Sequence, residues 1–446
     1  VKITIAGAGY VGLVTAACLA DKGHDIICVD VDEEKIRLLN KGIVPIYEPG
    51  LEPLIERNSA RLRFTTNDVE AYQQAEVIMI AVGTPPLPDG SVHLDAVWKA
   101  LGRIVLAVER DCLVAIKSTV PVGTGDEAAR FVAENGRPGV RIDIVSNPEF
   151  LSQGTAVRDT LQAPRIVLGV ESERAERVMK DLYAPFALPY VVTDRRSAEM
   201  IKYAANVFLA LKISYINEIA NVCELVGADV QAVAEAIGMD PRIGRRFLRA
   251  GVGYGGSCLP KDAKALYALA ASHGYSLKTV WAAMDVNEKQ KWKLLDKARP
   301  YIRDFRNRTV AVLGAAFKPG TDDVRESPAL ANIERLIAEG AAVRVWDPAA
   351  LGHVARCFGD AVVGCKTIEE AIRGADVCFI FTEWPAVLQF DLHRYKGLMK
   401  TPIVVDGRNC YDLRAAEAAG LIYESIGRPA VGGWQSAMKE TVEHHE

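Results

Sequence analysis

The chain holds 446 residues, half of them hydrophobic and a quarter charged. That length predicts roughly three domains, and that composition excludes a disordered or fibrous chain. Basic and acidic side chains nearly cancel, to a net charge of −4, so nothing marks a non-specific nucleic-acid binder. No uncharged apolar run reaches about 18 residues; the nearest, Ala204 to Cys223, is broken by Lys212 and Glu218. The first residues lack a signal-peptide layout. Nine cysteines without metal-ligand spacing read as reduced thiols. The expectation is a soluble cytoplasmic protein with no membrane segment and no bound metal.

Lys2–Ala6 is a buried-strand pattern that runs into Gly7-Ala-Gly9-Tyr-Val-Gly12. A helical run follows, then a second strand, Ile26–Asp30, whose last residue is acidic. A lone GxGxxG is weak evidence, but here it lies between strand and helix, with an acid closing the next strand. That is the setting of a Rossmann dinucleotide site. Gly7 would permit the turn, Gly9 the approach of a pyrophosphate, and Gly12 close packing of helix on strand. Asp30 would accept from the adenosine ribose and repel a 2′-phosphate, which favours NAD over NADP. Further strands are predicted at Glu76–Val82, Cys112–Lys117 and Arg141–Val145. Each runs into a polar or Gly/Pro-rich loop at the sheet edge where α/β ligands bind.

From Ser197 to Val226 the pattern becomes one long helix, and a second helix is predicted over Leu277–Ile302. Thr309–Gly314 then restarts the strand–helix theme. Ser327-Pro328 is placed as a helix start, and strands are predicted at Val343–Asp347, Val377–Thr382 and Ile403–Asp406. The fold class is therefore α/β. An N-terminal Rossmann domain (1–196) precedes a central helical and dimerisation segment (197–302) and a C-terminal Rossmann-like domain (303–446) without the glycine fingerprint. Two nucleotide-type domains suggest a two-substrate enzyme with a cleft between them.

Gly253-Tyr-Gly-Gly-Ser-Cys258-Leu-Pro-Lys-Asp262 is the richest stretch after the fingerprint. Pro260 in a first helical turn would place Cys258 at the helix N-terminus, where the dipole and Lys261 favour a nucleophilic thiolate. The neighbouring glycines would leave room for a ligand. Lys202 and Asn206 lie four apart, hence on one helix face: either a solvated face or a pair that polarises an oxygen. Arg242, Arg245, Arg246 and Arg249 recur at helical spacing, a basic face that would serve a pyrophosphate, a partner subunit or only solvent.

With these pieces in place the chain resembles the UDP-glucose/GDP-mannose dehydrogenase family over nearly its whole length. The resemblance is carried by Gly7–Gly12, Ser118-Thr-Val-Pro-Val-Gly123, Asn147-Pro-Glu-Phe-Leu151, Lys202-Tyr-Ala-Ala-Asn206, Gly255-Gly-Ser-Cys-Leu-Pro-Lys-Asp262 and Phe317-Lys-Pro-Gly-Thr-Asp-Asp-Val-Arg-Glu-Ser327. It implies a four-electron oxidation of a sugar nucleotide's primary alcohol to a carboxylate with two NAD⁺, feeding polysaccharide precursors. By the same resemblance Cys258 carries the thiohemiacetal and thioester, and Lys202 and Asn206 stabilise the oxyanion. Asp262, Glu149 and Thr119 orient water. The first base stays open between Lys202 and a water held by Asp262.

Cofactor contacts carry over onto Tyr10, Val11, Asp30, Lys35, Thr84, Thr119, Gln153, Lys261 and Arg325. Substrate contacts carry over onto Glu149, Phe150, Leu151, Lys202, Asn206, Phe247, Leu248, Arg249, Ala250, Gly251, Gly255 and Lys318. Lys318 and Arg408 are expected near the phosphates. Arg242 resembles the family arginine that reaches a neighbouring subunit's site, which implies a homodimer or larger homo-oligomer. Phe247–Ser257 looks more like the UDP-glucose branch than the GDP-mannose branch, so the expected substrate is UDP-glucose. One position departs: Gln153 stands where the family usually has glutamate. A two-electron dehydrogenase would have no use for Cys258. A non-catalytic NAD- or sugar-nucleotide-binding regulator would have no need of these residues together.

Overall fold

The computed structural model describes residues 1–432. Apolar runs in the first half form an eight-stranded sheet: β1 (Lys2–Ala6), β2 (Asp25–Val29), β3 (Leu62–Thr65), β4 (Val77–Ile80), β5 (Cys112–Ile116), β6 (Ile142–Ser146), β7 (Ile166–Gly169) and β8 (Tyr190–Thr193). Its order is β3-β2-β1-β4-β5-β6-β7-β8, parallel except where Ser146 of β6 meets Gly169 of β7 in the antiparallel sense. Residues alternate between the two faces. Ile3, Ile5, Val77, Met79, Leu113 and Ala115 enter one apolar layer, while Ile78, Ile80, Val114 and Ile116 enter the other. Burial on both faces explains why these strands read as continuous apolar runs.

The last third forms a six-stranded parallel sheet: β9 (Thr309–Leu313), β10 (Ala342–Trp346), β11 (Val362–Cys365), β12 (Val377–Ile380), β13 (Ile403–Asp406) and β14 (Ile422–Glu424), ordered β11-β10-β9-β12-β13-β14. Both sheets thus contain the doubly wound order with a switch point beside the first strand. The same device builds each switch. Gly7 after β1 has φ +106 and lies so near the Ala81 carbonyl that a Cβ would stand 2.6 Å from it. Gly314 after β9 has φ +88, and a Cβ there would collide with Thr382 beyond β12. In the first sheet Ala8 N–H donates to Asp30 Oδ2 (2.7 Å); in the second Ala315 N–H donates to Asp347 Oδ2 (2.8 Å).

The long helix spans Arg195–Val226. Packing divides the chain into two compact units, Val1–Ala205 with Lys264–Tyr275 and Asn206–Ala263 with the described residues from Ser276 to 432. In the second unit Ile216, Ala220, Cys223 and Val230 share one core with the six-stranded sheet. The helix predicted over Leu277–Ile302 is two helices, Lys278–Gln290 and Lys293–Ala298. Asn332 Nδ2 donates to the Lys291 carbonyl (2.8 Å) at the break. The basic helical face expected from Arg242 to Arg249 does not form. The preceding helix, Val230–Gly238, ends before Asp240-Pro241. Gly244 and Phe247 then adopt positive φ, which no helix sustains.

Candidate functional site

In the first unit the glycine fingerprint leaves the backbone open at Gly9. A Cβ on Gly12 would collide with the Gly7 carbonyl, whereas one on Gly9 would meet nothing within 4 Å. The helix Tyr10–Asp21 therefore packs tightly on the turn while the backbone at Gly9 stays accessible, and no side chain caps its N-terminus. Burial pulls Asp30 up, but N–H donors from Asp32 and Ala8 and the Lys35 ammonium (3.1 Å) outweigh it. The carboxylate sits below its ordinary pKa, ionised and oriented. Thr84 Oγ1 donates to the Thr119 carbonyl at 3.0 Å, joining the loops after β4 and β5. This geometry fits a dinucleotide without alteration.

Gln153 lies in a loop fixed from outside. Gly154 N–H donates to Glu48 Oε2 (2.6 Å) and to Tyr10 Oη (3.1 Å), and Ala156 N–H donates to Glu48 Oε1 (2.7 Å). Buried Glu48 was not singled out in the sequence; its one signal was an acid between aromatic Tyr47 and a Pro-Gly turn.

Lys202 and Glu149 form a desolvated ion pair at 3.1 Å, with side chains 4% and 9% exposed. The ammonium also stands 5.3 Å from the centre of the Phe150 ring. Leu151 N–H holds Glu149's other oxygen at 2.7 Å. The solvated-face alternative for Lys202 and Asn206 is thereby removed, because both are buried. Lys117, a second buried lysine, donates to Asn147 Oδ1 (3.2 Å), which also accepts from Tyr183 Oη (2.7 Å). It fixes the strand end that carries Glu149. In the sequence it was only a polar end to an apolar strand.

In the second unit Cys258 occupies the N-terminus of the helix Leu259–Ser272. Its carbonyl accepts from Asp262 N–H at 2.8 Å, and its side chain is exposed. Asp262 is 1% exposed. Asn206 Nδ2 donates to its Oδ2 at 2.7 Å. Its Oδ1 stands 3.1 Å from Lys261 Nζ but has no aligned hydrogen bond. Arg325 grips Asp323 through Nε and Nη2. Its pKa is raised by that hydrogen bond and the Asp323 charge, with smaller contributions from Cys258 and Asp322. Arg325 therefore belongs with the cysteine, and Gly256 N–H donates to its carbonyl at 2.8 Å.

The glycines before Cys258 serve packing rather than ligand space. A Cβ on Gly255 would collide with the Glu326 carbonyl, and one on Gly256 would stand 2.7 Å from the Phe317 ring. Ahead of them, Leu248, Ala250 and Gly251 are buried, and Phe247 and Arg249 are exposed. Asn217 Oδ1 accepts from Gly251 N–H at 2.8 Å. Arg408 donates to the carbonyls of Phe381 (2.8 Å), Gly253 (3.3 Å) and Phe317 (3.3 Å), knitting three loops. Lys318 Nζ lies 5.6 Å from the Phe317 ring centre. Arg242 is exposed and doubly bonded to Asp240. Among the described residues no group of three or more His, Cys, Asp or Glu is arranged to hold a metal, and no helix is long and apolar enough to cross a membrane.

A dinucleotide cradle, a buried lysine–carboxylate pair and an N-terminal helix cysteine define an NAD-dependent dehydrogenase. Residues 1–187 match the NAD binding domain of the UDP-glucose/GDP-mannose dehydrogenase family, 196–289 its central domain and 311–413 its UDP binding domain. The chain belongs to that family. It is 47% identical to the UDP-glucose 6-dehydrogenase YwqF of Bacillus subtilis, over 96% of this chain and 98% of that one. It is 46% identical to the UDP-glucose 6-dehydrogenase of Rhizobium meliloti, over 96% and 100%. A solved UDP-glucose dehydrogenase from Pyrobaculum islandicum superposes with a TM-score of 0.89 at 38% identity, covering 96% of this chain and 98% of that one.

Proposed function

We propose that the chain oxidises the C6 alcohol of UDP-glucose to the carboxylate of UDP-glucuronate, consuming two NAD⁺ and one water. The observation that carries the reading is Cys258, an accessible thiol at a helix N-terminus one turn before buried Asp262. A two-electron alcohol dehydrogenase has no step for it.

Gly7, Gly9, Gly12 and Asp30 would hold NAD⁺, which would supply the hydride acceptor for each oxidation. In the first, the hydroxyl loses its proton and C6 loses hydride, giving an aldehyde. The Lys202 ammonium and the Asn206 amide, one helical turn apart, stabilise charge on the oxygen. The Cys258 thiolate then adds to the aldehyde carbon, and the oxygen takes a proton. This thiohemiacetal carbon holds a transferable hydride; its loss, together with release of the hydroxyl proton, leaves a thioester. Water oriented by Asp262, Glu149 and Thr119 adds to the thioester carbonyl; the C–S bond breaks and the thiolate leaves. Asp262 suits that task, since Asn206 fixes one of its oxygens while the other has no aligned hydrogen bond.

The reading extends to a homo-oligomer. Phe208, Tyr215 and Val222 recur every seven residues on the long helix, all exposed, with Leu225 and Val226 beyond them. A second copy of the same helix is the natural cover for such a stripe, and exposed Arg242 is assigned to the partner's site.

The test is NADH formed per UDP-glucose at limiting sugar nucleotide, with the product identified by mass. Two NADH and UDP-glucuronate are expected, and Cys258→Ser should lower acid formation by at least about 10³-fold. One NADH and a stalled aldehyde would remove the thioester route. Turnover of GDP-mannose instead would move the substrate assignment.

A further inference from the structure

One turn before Lys202 the same helix carries a second buried carboxylate that the reaction above does not use. Glu199 is 4% exposed. Its Oε2 accepts from Gly123 N–H at 2.7 Å, and its Oε1 accepts from Gly125 N–H at 2.8 Å and from Ser146 Oγ at 3.0 Å. Gly123 ends the loop that begins with Ser118 and Thr119, and Gly125 lies in the first turn of the helix Thr124–Asn135 that follows it. Ser146 is the last residue of β6, whose continuation is Asn147-Pro148-Glu149. One carboxylate thus joins the segments that present Thr119, Glu149 and Lys202.

The surroundings are built for it. A Cβ on Gly125 would stand 2.9 Å from Glu199 Oε1 and 2.7 Å from Ser146 Oγ, so only glycine lets the chain approach. Gly123 has φ +102, again a glycine conformation. All three donors are uncharged, and nearby Arg195 spends its guanidinium on Asp126. A carboxylate kept there without a cation suits an acceptor that must hold several donors at once. Ser118, Thr119, Pro148, Glu199 and Lys202 line one small cavity behind this junction.

We infer that Glu199 is a positioning residue for the oxidation: its carboxylate clamps the Ser118–Gly125 turn and the end of β6 to the helix, and so fixes Thr119 and Glu149 relative to Lys202. The inference rests on the roles proposed above for those three residues. Misplacing a reacting group by about 1 Å costs on the order of 10²-fold in rate. The clamp touches neither Gly7–Gly12 nor Asp30, and Thr119 is the one expected cofactor contact it reaches, so its larger effect falls on turnover and its smaller one on dinucleotide affinity. Glutamine in its place keeps one accepting oxygen, but turns an amide donor toward a backbone N–H.

The test compares Glu199→Gln, Glu199→Ala and Gly125→Ala in the full chain, assayed well below each variant's melting temperature. The expected result is a kcat loss of about 10- to 100-fold with KM for NAD⁺ within about twofold of the parent. Glutamine should retain more activity than alanine. Deuterium exchange of the unliganded protein should speed up over residues 118–125 in all three. Folded variants with kcat within twofold of the parent, or with unchanged exchange in that turn, overturn the clamp. A kcat unaffected by the control Lys202→Ala would instead bring down the catalytic reading itself, a result the exchange measurement does not share.

Discussion

The roles proposed for Cys258 and Lys202 rest on opposite use of solvent. The cysteine is exposed at a helix end, where the partial positive charge of the first turn favours a thiolate. The lysine is sealed against Glu149 and the Phe150 ring, where removing either partner would strand a buried charge. Other cysteines are of a different kind: burial pushes Cys28 and Cys112 up to about 12, so they stay protonated at neutral pH. Gln153 gives a prediction on the cofactor side. Its loop is tied to Tyr10 at the fingerprint and to Glu48. A carboxylate at 153 adds negative charge near the place of the pyrophosphate and beside Glu48. Gln153→Glu should therefore raise KM for NAD⁺ about two- to fivefold, on the order of 0.5–1 kcal/mol, with kcat within a factor of about two. Initial rates against NAD⁺ decide it, and a large fall in kcat at constant KM would refute it. Roles such as those of Glu48 and Glu199 are invisible to a linear reading, because their donors lie about a hundred and about seventy-five residues away along the chain. The placement of Cys258 at a helix N-terminus was legible because that helix start is written in consecutive residues.

Most strands and helix starts were legible where burial was complete, although β7, buried along its whole length, was not predicted. β1, β5, β9 and β13 are apolar on both faces and stand within a residue of their predicted ends. β3, β8 and β11 escaped notice because they are edge strands with exposed positions, where the apolar demand falls away. The predicted start at Ser327-Pro328 is a capped helix: Ser327 Oγ accepts from Ala329 N–H (3.3 Å) and donates to the Ala315 carbonyl (2.7 Å). It fastens the helix Pro328–Ala338 to the loop after β9. Ser327→Ala removes the cap and leaves a buried carbonyl without that donor. A loss of about 1–2 kcal/mol is expected in urea unfolding. A midpoint unchanged from the parent would mean that solvent or another group replaces the cap.

Across the whole molecule, the proposed homo-oligomer rests on the exposed apolar stripe of Phe208, Tyr215 and Val222 and on the exposed Arg242. Among the described residues Arg242 pairs with Asp240, two residues away, a contact worth little in water. If it completes the site of a partner subunit, activity belongs to the pair of chains rather than to either alone. Mixing two inactive variants separates these cases. Arg242→Ala leaves Cys258 intact but denies an arginine to the neighbour. Cys258→Ser lacks the nucleophile but still offers its arginine. After co-refolding at equal amounts, half of the dimers are mixed, and each mixed dimer holds one site with both cysteine and arginine. Activity should return to roughly a quarter of the parent's. Mixing without recovery, from variants that still sediment as dimers, would place Arg242 outside the neighbouring site. Tyr215→Asp, which buries a charge in the stripe, should convert the same chain to monomers by sedimentation and take turnover with it.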